Sequence, residues 1–377
     1  MAPRRARRPS RTPSAPPRPV GRPPVWPDET RPPRERDITL LWALRSPCSF
    51  GCPHCYFGEL DLDKAGPPKE VGMLSHIPVR DLDHAALEAF ARSLADSPVE
   101  RVVLAGGEPL DWLPTLSVIK TIKDAGCEVV IATNGVPLTR PGIARRLVEL
   151  GVDGVSVSLD SADAAVNDRL RPSRSGRVGH REVLAGIRTL LEGRGDGAGP
   201  RVGIYTVVIR ERPQEITDVA RLAAEVGVDY YVPQPISLPP DHKLFAERCH
   251  TAADVPAVEE QLLRLQQDPG GLTLPGTAYI RQFLASIATQ DSGRIEHCFG
   301  GAQLFFVQPD GSVWDCPSDR RIAATPPAAR RTIVGTEART LFADRPVCTD
   351  CSHFSRDCVN MGPLVLGMPR LLGREGT

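Results

Sequence analysis

No apolar run in this 377-residue chain approaches the length of a membrane span. An excess of one charge sign is also missing, because 46 Lys and Arg balance 46 Asp and Glu. A formal net charge of zero gives no global attraction to nucleic acid or acidic lipid. The basic N-terminus lacks the apolar core of a secretory signal. Ten cysteines at irregular spacing are too few for a disulfide scaffold in a chain of this size. They fit a reducing, cytoplasmic setting in which thiols are kept for metal. What remains is an ordinary globular composition, 41% hydrophobic and 24% charged, long enough for one large domain and a smaller one.

Residues 1–36 are mostly Pro, Arg, Ser and Ala with no apolar periodicity, so they read as a disordered arm without assigned function. From Asp37 onward short β-rich runs alternate with amphipathic stretches. The runs are Ile38–Leu44, Val99–Ala105, Glu128–Ala132, Gly154–Leu159, Val202–Ile209 and Asp229–Val232. Between the first two, His84–Ala95 puts Leu87, Phe90 and Leu94 on one helical face. Six strands alternating with helices predict an α/β fold with a parallel sheet, either a six-unit open barrel or an open doubly wound sheet. The expected layout is a barrel over 37–236, a helical connector or lid over 237–296 and a Cys-rich hairpin and helix region over 297–377. The segment from Pro233 to Pro240 is expected to be loop.

The stretch Cys48-Ser-Phe-Gly-Cys52-Pro-His-Cys55 follows the first strand directly. A loop with this spacing can wrap one face of a cube and give three irons one thiolate each, leaving a fourth iron open. Ordinary electron-transfer clusters use four cysteines. A zinc site would need a fourth ligand, and His54, awkwardly placed between two others, is the only local candidate. Gly106-Gly107-Glu108-Pro109 follows the second strand. Two glycines let backbone pass close to a ligand, and Glu108 can accept hydrogen bonds from an ammonium group; a plain βα turn would use the same glycine and proline. Asn134, Ser158 and Asp160 stand at the C-terminal ends of strands three and four, where ligand groups gather in parallel α/β folds. Asn-Gly is also a common turn, and Asp160 could cap a helix. Farther on, Cys298 and Cys316 bracket a predicted hairpin around Pro309-Asp310-Gly311, and Cys348, Cys351 and Cys358 follow. Two separated thiols plus a close pair can close a four-ligand site for zinc or for an iron–sulfur cluster.

The first cysteine motif resembles the signature of the radical S-adenosylmethionine (radical SAM) superfamily, with His54 where the family usually has an aromatic. The resemblance implies that Cys48, Cys52 and Cys55 hold a 4Fe–4S cluster whose open iron is chelated by SAM. In that family the reduced cluster cleaves SAM to methionine and a 5′-deoxyadenosyl radical, which takes hydrogen from substrate. It implies that Gly106, Gly107, Glu108 and Pro109 hold the SAM amino group, and that Asn134, Ser158 and Asp160 contact its ribose and carboxylate. Arg171, with Arg169 as a competitor, would pair with the SAM carboxylate. The resemblance favours a partial (β/α)6 barrel of parallel strands with a small C-terminal Cys-rich hairpin and helix cluster domain. That rear region resembles the SPASM module or its shortened form, twitch, through Gly311-x4-Cys316. Only five cysteines follow residue 297, and Gly362 stands where a further one is expected. The implied outcome is one auxiliary 4Fe–4S cluster on Cys298, Cys316, Cys348 and Cys351, with Cys358 spare or replacing one of the pair.

An external reductant of flavodoxin or ferredoxin type is implied as partner. Relatives with such modules modify ribosomal peptides or small natural-product intermediates. The short polar arm before Cys48 and the reduced cysteine set put a sugar, cyclitol or sugar nucleoside first and a precursor peptide second. A non-catalytic iron–sulfur carrier is the remaining alternative, against which the open iron speaks.

Overall fold

The computed structural model describes residues 35–57, 81–195, 199–238, 240, 242–289, 293–316, 325–345 and 348–374. Nearly all of the N-terminal arm, residues 1–34, lies outside the described residues.

The six expected runs form strands β1 (Ile38–Arg45), β2 (Val99–Gly106), β3 (Glu128–Thr133), β4 (Gly154–Ser158), β5 (Arg201–Val208) and β6 (Tyr230–Pro235). They pair parallel in consecutive order. All of β1 except Arg45 is buried, as a parallel sheet covered on both faces requires. The covering helices are α1 (His84–Ser93), α2 (Thr115–Asp124), α3 (Ile143–Glu149), α4 (Ala164–Leu170), α5 (His180–Arg194) and α6 (Glu215–Val226). Asp83 caps α1 by accepting from the Ala86 amide at 2.8 Å. The expected face, Leu87, Phe90 and Leu94, is buried, and Phe90 meets Trp42 of β1 edge-on at 5.4 Å between ring centroids. Each such side chain contributes about 1.5–3 kcal/mol by leaving water. This is an α/β partial barrel. Two longer helices, α7 (Val255–Gln267) and α8 (Thr277–Ala288), follow where the connector was expected.

Two elements differ from expectation. The strand β6 runs on through Pro233 and Pro235, which pair with Thr206 and Val208. Proline is tolerated there because β6 is the edge of the sheet, where a missing donor faces no partner strand. At the other edge, the C-terminal hairpin of β8 (Leu304–Val307) and β9 (Ser312–Trp314) joins the barrel sheet. β8 pairs parallel with β1, Leu40 opposite Phe305 and Trp42 opposite Val307. With β10 (Arg331–Thr332) this makes a nine-stranded sheet in the order β10-β9-β8-β1-β2-β3-β4-β5-β6. The apolar outer edge of β1 would otherwise be left unpaired. Outside that sheet, β7 (Gly293–Cys298) and β11 (Cys348–Phe354) form a separate antiparallel pair that periodicity did not reveal, and α9 (Arg356–Val365) follows β11. Among the described residues no helix is long and apolar enough to cross a membrane.

Candidate active site

The C-terminal ends of β1 to β6 open on a cavity of about 240 Å³. Cys48, Cys52 and Cys55 line it, together with Gly106, Gly107, Glu108, Asn134, Ser158 and Arg171. The cysteine loop leaves β1 and is held from two sides. From β2, the Gly107 amide donates to the Arg45 carbonyl at 2.7 Å and the Glu108 amide to the Pro47 carbonyl at 2.8 Å. A Cβ on Gly107 would sit 2.1 Å from the Pro47 oxygen. One on Gly106, at φ +115°, would sit 2.6 Å from the Arg45 oxygen. The close approach these glycines permit is therefore to the cysteine loop itself, not only to a ligand. From the segment after α4, the Gly51 amide donates to the Pro172 carbonyl at 2.8 Å and Arg174 Nε to the Cys48 carbonyl at 3.0 Å. Arg174 also lines the cavity, and sequence reasoning missed it because the Cys48 contact spans 126 positions.

Two buried carboxylates near the loop are held in opposite electrostatic settings. Glu108 accepts from Thr133 Oγ1 at 2.8 Å, the Asn134 amide at 2.7 Å and the Leu110 amide at 3.1 Å. Burial pushes its carboxyl up to about 7, and these neutral donors hold it back only in part. A cationic ligand would complete its shell. Asp160 is also fully buried, but there burial is outweighed by Arg171 and His54, which hold its carboxyl well below the usual range. Its Oδ2 is 3.1 Å from Arg171 Nη1 and 2.9 Å from His54 Nε2, and its Oδ1 accepts from the Val207 amide at 2.9 Å. The structure thus sets Asp160 behind the cavity wall, as a clamp between the cysteine loop, β5 and Arg171, rather than on the wall where a ribose contact was expected. The clamp is assembled by α4. Asp163 caps its start, and its end at Leu170 releases Arg171 toward Asp160. Arg169 points into solvent on the same helix.

Of the other expected residues, Asn134 donates from Nδ2 to Ser49 Oγ at 3.3 Å, another link to the cysteine loop. Pro109 is buried at the start of a helical turn and does not line the cavity. Tyr230 and Tyr231, at the start of β6, are fully buried in the core; Tyr230 Oη lies 2.9 Å from Ser156 Oγ. Gln234 lines the cavity, with Tyr205 of β5 and with Asn360, Met361 and Leu364 of α9. The α9 residues carried no motif that could have announced them.

Among the described residues no three His, Cys, Asp or Glu side chains converge tightly enough to chelate one ion as they stand. The loop thiols share a wall rather than a point. Their chemistry nevertheless fits a cationic cluster. Burial pushes Cys48 and Cys52 up to about 12, so they are neutral thiols until a metal cation offsets that cost. His54, the one candidate for closing a zinc site, has its Nε2 committed to Asp160. In the rear region, Cys298 is hydrogen-bonded to Cys351 and lies within electrostatic reach of Cys358 and Cys316; crowding by Cys351, together with burial, raises its thiol strongly. Cys348 faces Cys298 across the β7–β11 pair, and its side chain lies outside the described residues.

The parallel α/β partial barrel thus brings a three-thiol loop, a Gly-Gly-Glu turn and an arginine onto one cavity at the strand ends. The family model described as Radical SAM superfamily matches residues 47–223, the segment that builds it. That segment is a radical SAM domain. It is 32% identical over 195 residues to an AdoMet-dependent heme synthase of Methanosarcina barkeri, covering 51% of this chain and 49% of that one. It is 25% identical over 282 residues to the mycofactocin maturase MftC of Mycobacterium tuberculosis, covering 74% of this chain and 64% of that one. In fold it is similar to Streptococcus suis SuiB bound to its precursor peptide SuiA, with a TM-score of 0.59 and 15% identity over 83% of this chain and 66% of that one. The chain spans about half or less of the length of several curated relatives, the heme synthase among them.

Proposed function

We propose that the protein is a radical SAM enzyme that reductively cleaves SAM and uses the resulting radical to take hydrogen from a substrate held in the same cavity. The observation that carries this is the gathering of Cys48, Cys52, Cys55, Glu108 and Arg171 on one wall system. Cys48, Cys52 and Cys55 would hold a 4Fe–4S cluster, which supplies the electron for SAM cleavage. Glu108 and the Gly106–Gly107 backbone would receive the SAM ammonium group. Arg171, steadied by Asp160, would receive its carboxylate, with Asn134 and Ser158 nearby on the wall. The barrel interior keeps water from the reacting atoms.

The rear thiols would hold an auxiliary cluster. Cys298, Cys316 and Cys351 remain its ligands, and the burial of Cys358 beside Cys351 favours it as a full ligand rather than a spare. A flavodoxin or ferredoxin would deliver electrons. For the substrate, the 282-residue match to the mycofactocin maturase runs well past residue 223. That extent favours a maturase-type substrate, a precursor peptide, over the small sugar-like molecule preferred from composition. The domain-length likeness to the heme synthase keeps a small molecule as the second reading.

The test is anaerobic, dithionite-driven release of 5′-deoxyadenosine from SAM after reconstitution with iron and sulfide. Release supports the enzyme; a protein that takes up clusters and forms none is an electron carrier. Source-cell extract should stimulate release. Loss of that stimulation after protease digestion of the extract indicates a peptide, and its survival indicates a small molecule.

A further inference from the structure

Helix α9 belongs to two sites at once. Its first turn carries Cys358, buried beside the Cys298 and Cys351 thiols. Two and three residues on, Asn360 and Met361 line the cavity, with Leu364 one turn further. The strand β11 runs directly into the helix at Ser355, whose hydroxyl lies 4.0 Å from the Cys358 sulfur. On the barrel side the helix is tied to the edge strand β6. Gln234 Nε2 donates to the Asn360 carbonyl and Asn360 Nδ2 to the Pro235 carbonyl, both at 3.1 Å.

The sequence of α9 is poorly suited to standing alone. Gly362 and Pro363 are adjacent inside it, and the proline removes a donor and crowds the preceding turn. Such a helix depends on its surroundings rather than on propensity. Every residue from Arg356 to Val365 except Asn360 is buried, so its packing has little freedom once the first turn is fixed.

We infer that Cys358 is a positioning residue: metal held by the rear thiols fixes α9 and thereby the cavity wall formed by Asn360, Met361 and Leu364. This rests on the reading that the rear thiols bind metal, and it assigns that metal a role in shaping the cavity. A site that only relayed electrons would leave α9 equally ordered with and without metal.

The experiment is hydrogen–deuterium exchange on the full-length protein, compared between the iron- and sulfide-loaded form and the same protein stripped by a chelator. Metal content is measured on every sample. Loading should slow exchange across 358–366 and 234–236 by on the order of tenfold. Cys298→Ala, which removes a thiol on β7 and leaves α9 untouched, should exchange at the stripped rate while the front cluster stays loaded. Cys48→Ala/Cys52→Ala/Cys55→Ala should keep the slow rate. Equal exchange in samples that differ in rear metal overturns the inference and leaves the rear metal site standing. Iron in the loaded wild type no higher than the front cluster accounts for, about four per chain, overturns the metal reading itself, and the inference with it. Should Cys298→Ala fail to fold, the stripped and reloaded wild type decides.

Discussion

The front and rear cysteine sets are gathered by different routes. Cys48, Cys52 and Cys55 come from one loop, stitched by backbone hydrogen bonds to β2 and to the segment after α4. Cys298, Cys316, Cys351 and Cys358 come from β7, the end of the β9 hairpin, β11 and α9. At the front, burial is the main reason Cys48 and Cys52 resist ionisation, and Arg171 works against it at Cys52. At the rear, another thiol, Cys351, is the main reason for Cys298. On the proposed reading, a front site held by local backbone bonds would keep its shape without metal, whereas a rear site gathered from separate elements would depend more on the metal it binds.

The sharpest way to break this comparison is to empty the front. Cys48→Ala/Cys52→Ala/Cys55→Ala should abolish 5′-deoxyadenosine release and lower iron from about eight to about four per chain. Iron analysis and the cleavage assay on one sample check both. Retained cleavage would move the chemistry to the rear. Next comes the support behind the loop. Asp160→Asn leaves the partly buried Arg171 charge without its carboxylate partner and should destabilise the fold by about 3 kcal/mol. Urea denaturation reads this directly, and a change under about 1 kcal/mol would mean the loop is held by its backbone bonds alone.

The smallest effect concerns Glu108. Its carboxyl is raised from 4.5 to about 7, so the folded protein binds that proton more tightly than the unfolded chain. The resulting stability is full below about 4.5 and is lost as pH rises through about 7, a change of up to about 3 kcal/mol. The difference in unfolding free energy between wild type and Glu108→Gln should therefore vary across that window. A difference that stays flat with pH would show that Glu108 is ionised throughout. Bound SAM, by placing an ammonium group beside it, should flatten the wild-type profile.

Much of the front was legible because its signals are local. Strand runs, the Gly-Gly-Glu turn and the cysteine spacing each sit within a few residues, and β1 to β6 fall close to the expected bounds. The ends were less legible. Residues Pro233–Pro235 look like a loop, and only the edge position of β6 lets prolines join a strand. The hairpin at Leu304–Trp314 was visible, but its pairing with β1 was not, since periodicity says nothing about which distant edge a strand will meet. Asp160 looked like a ligand contact because its place at a strand end is typical of one. Its partners, His54 at 106 positions and Val207 at 47, turn it inward.

The sequence by itself determined six parallel strands alternating with helices and the three-thiol loop, because hydrophobic period and ligand spacing are properties of short stretches. The choice of barrel over open sheet came from the family resemblance. Only the tertiary structure decided that Asp160 clamps rather than lines, that β8 extends the sheet and that α9 joins the rear thiols to the cavity wall. Those contacts link residues tens to hundreds of positions apart. They are chosen by which buried edges and charges must find partners once the chain is compact.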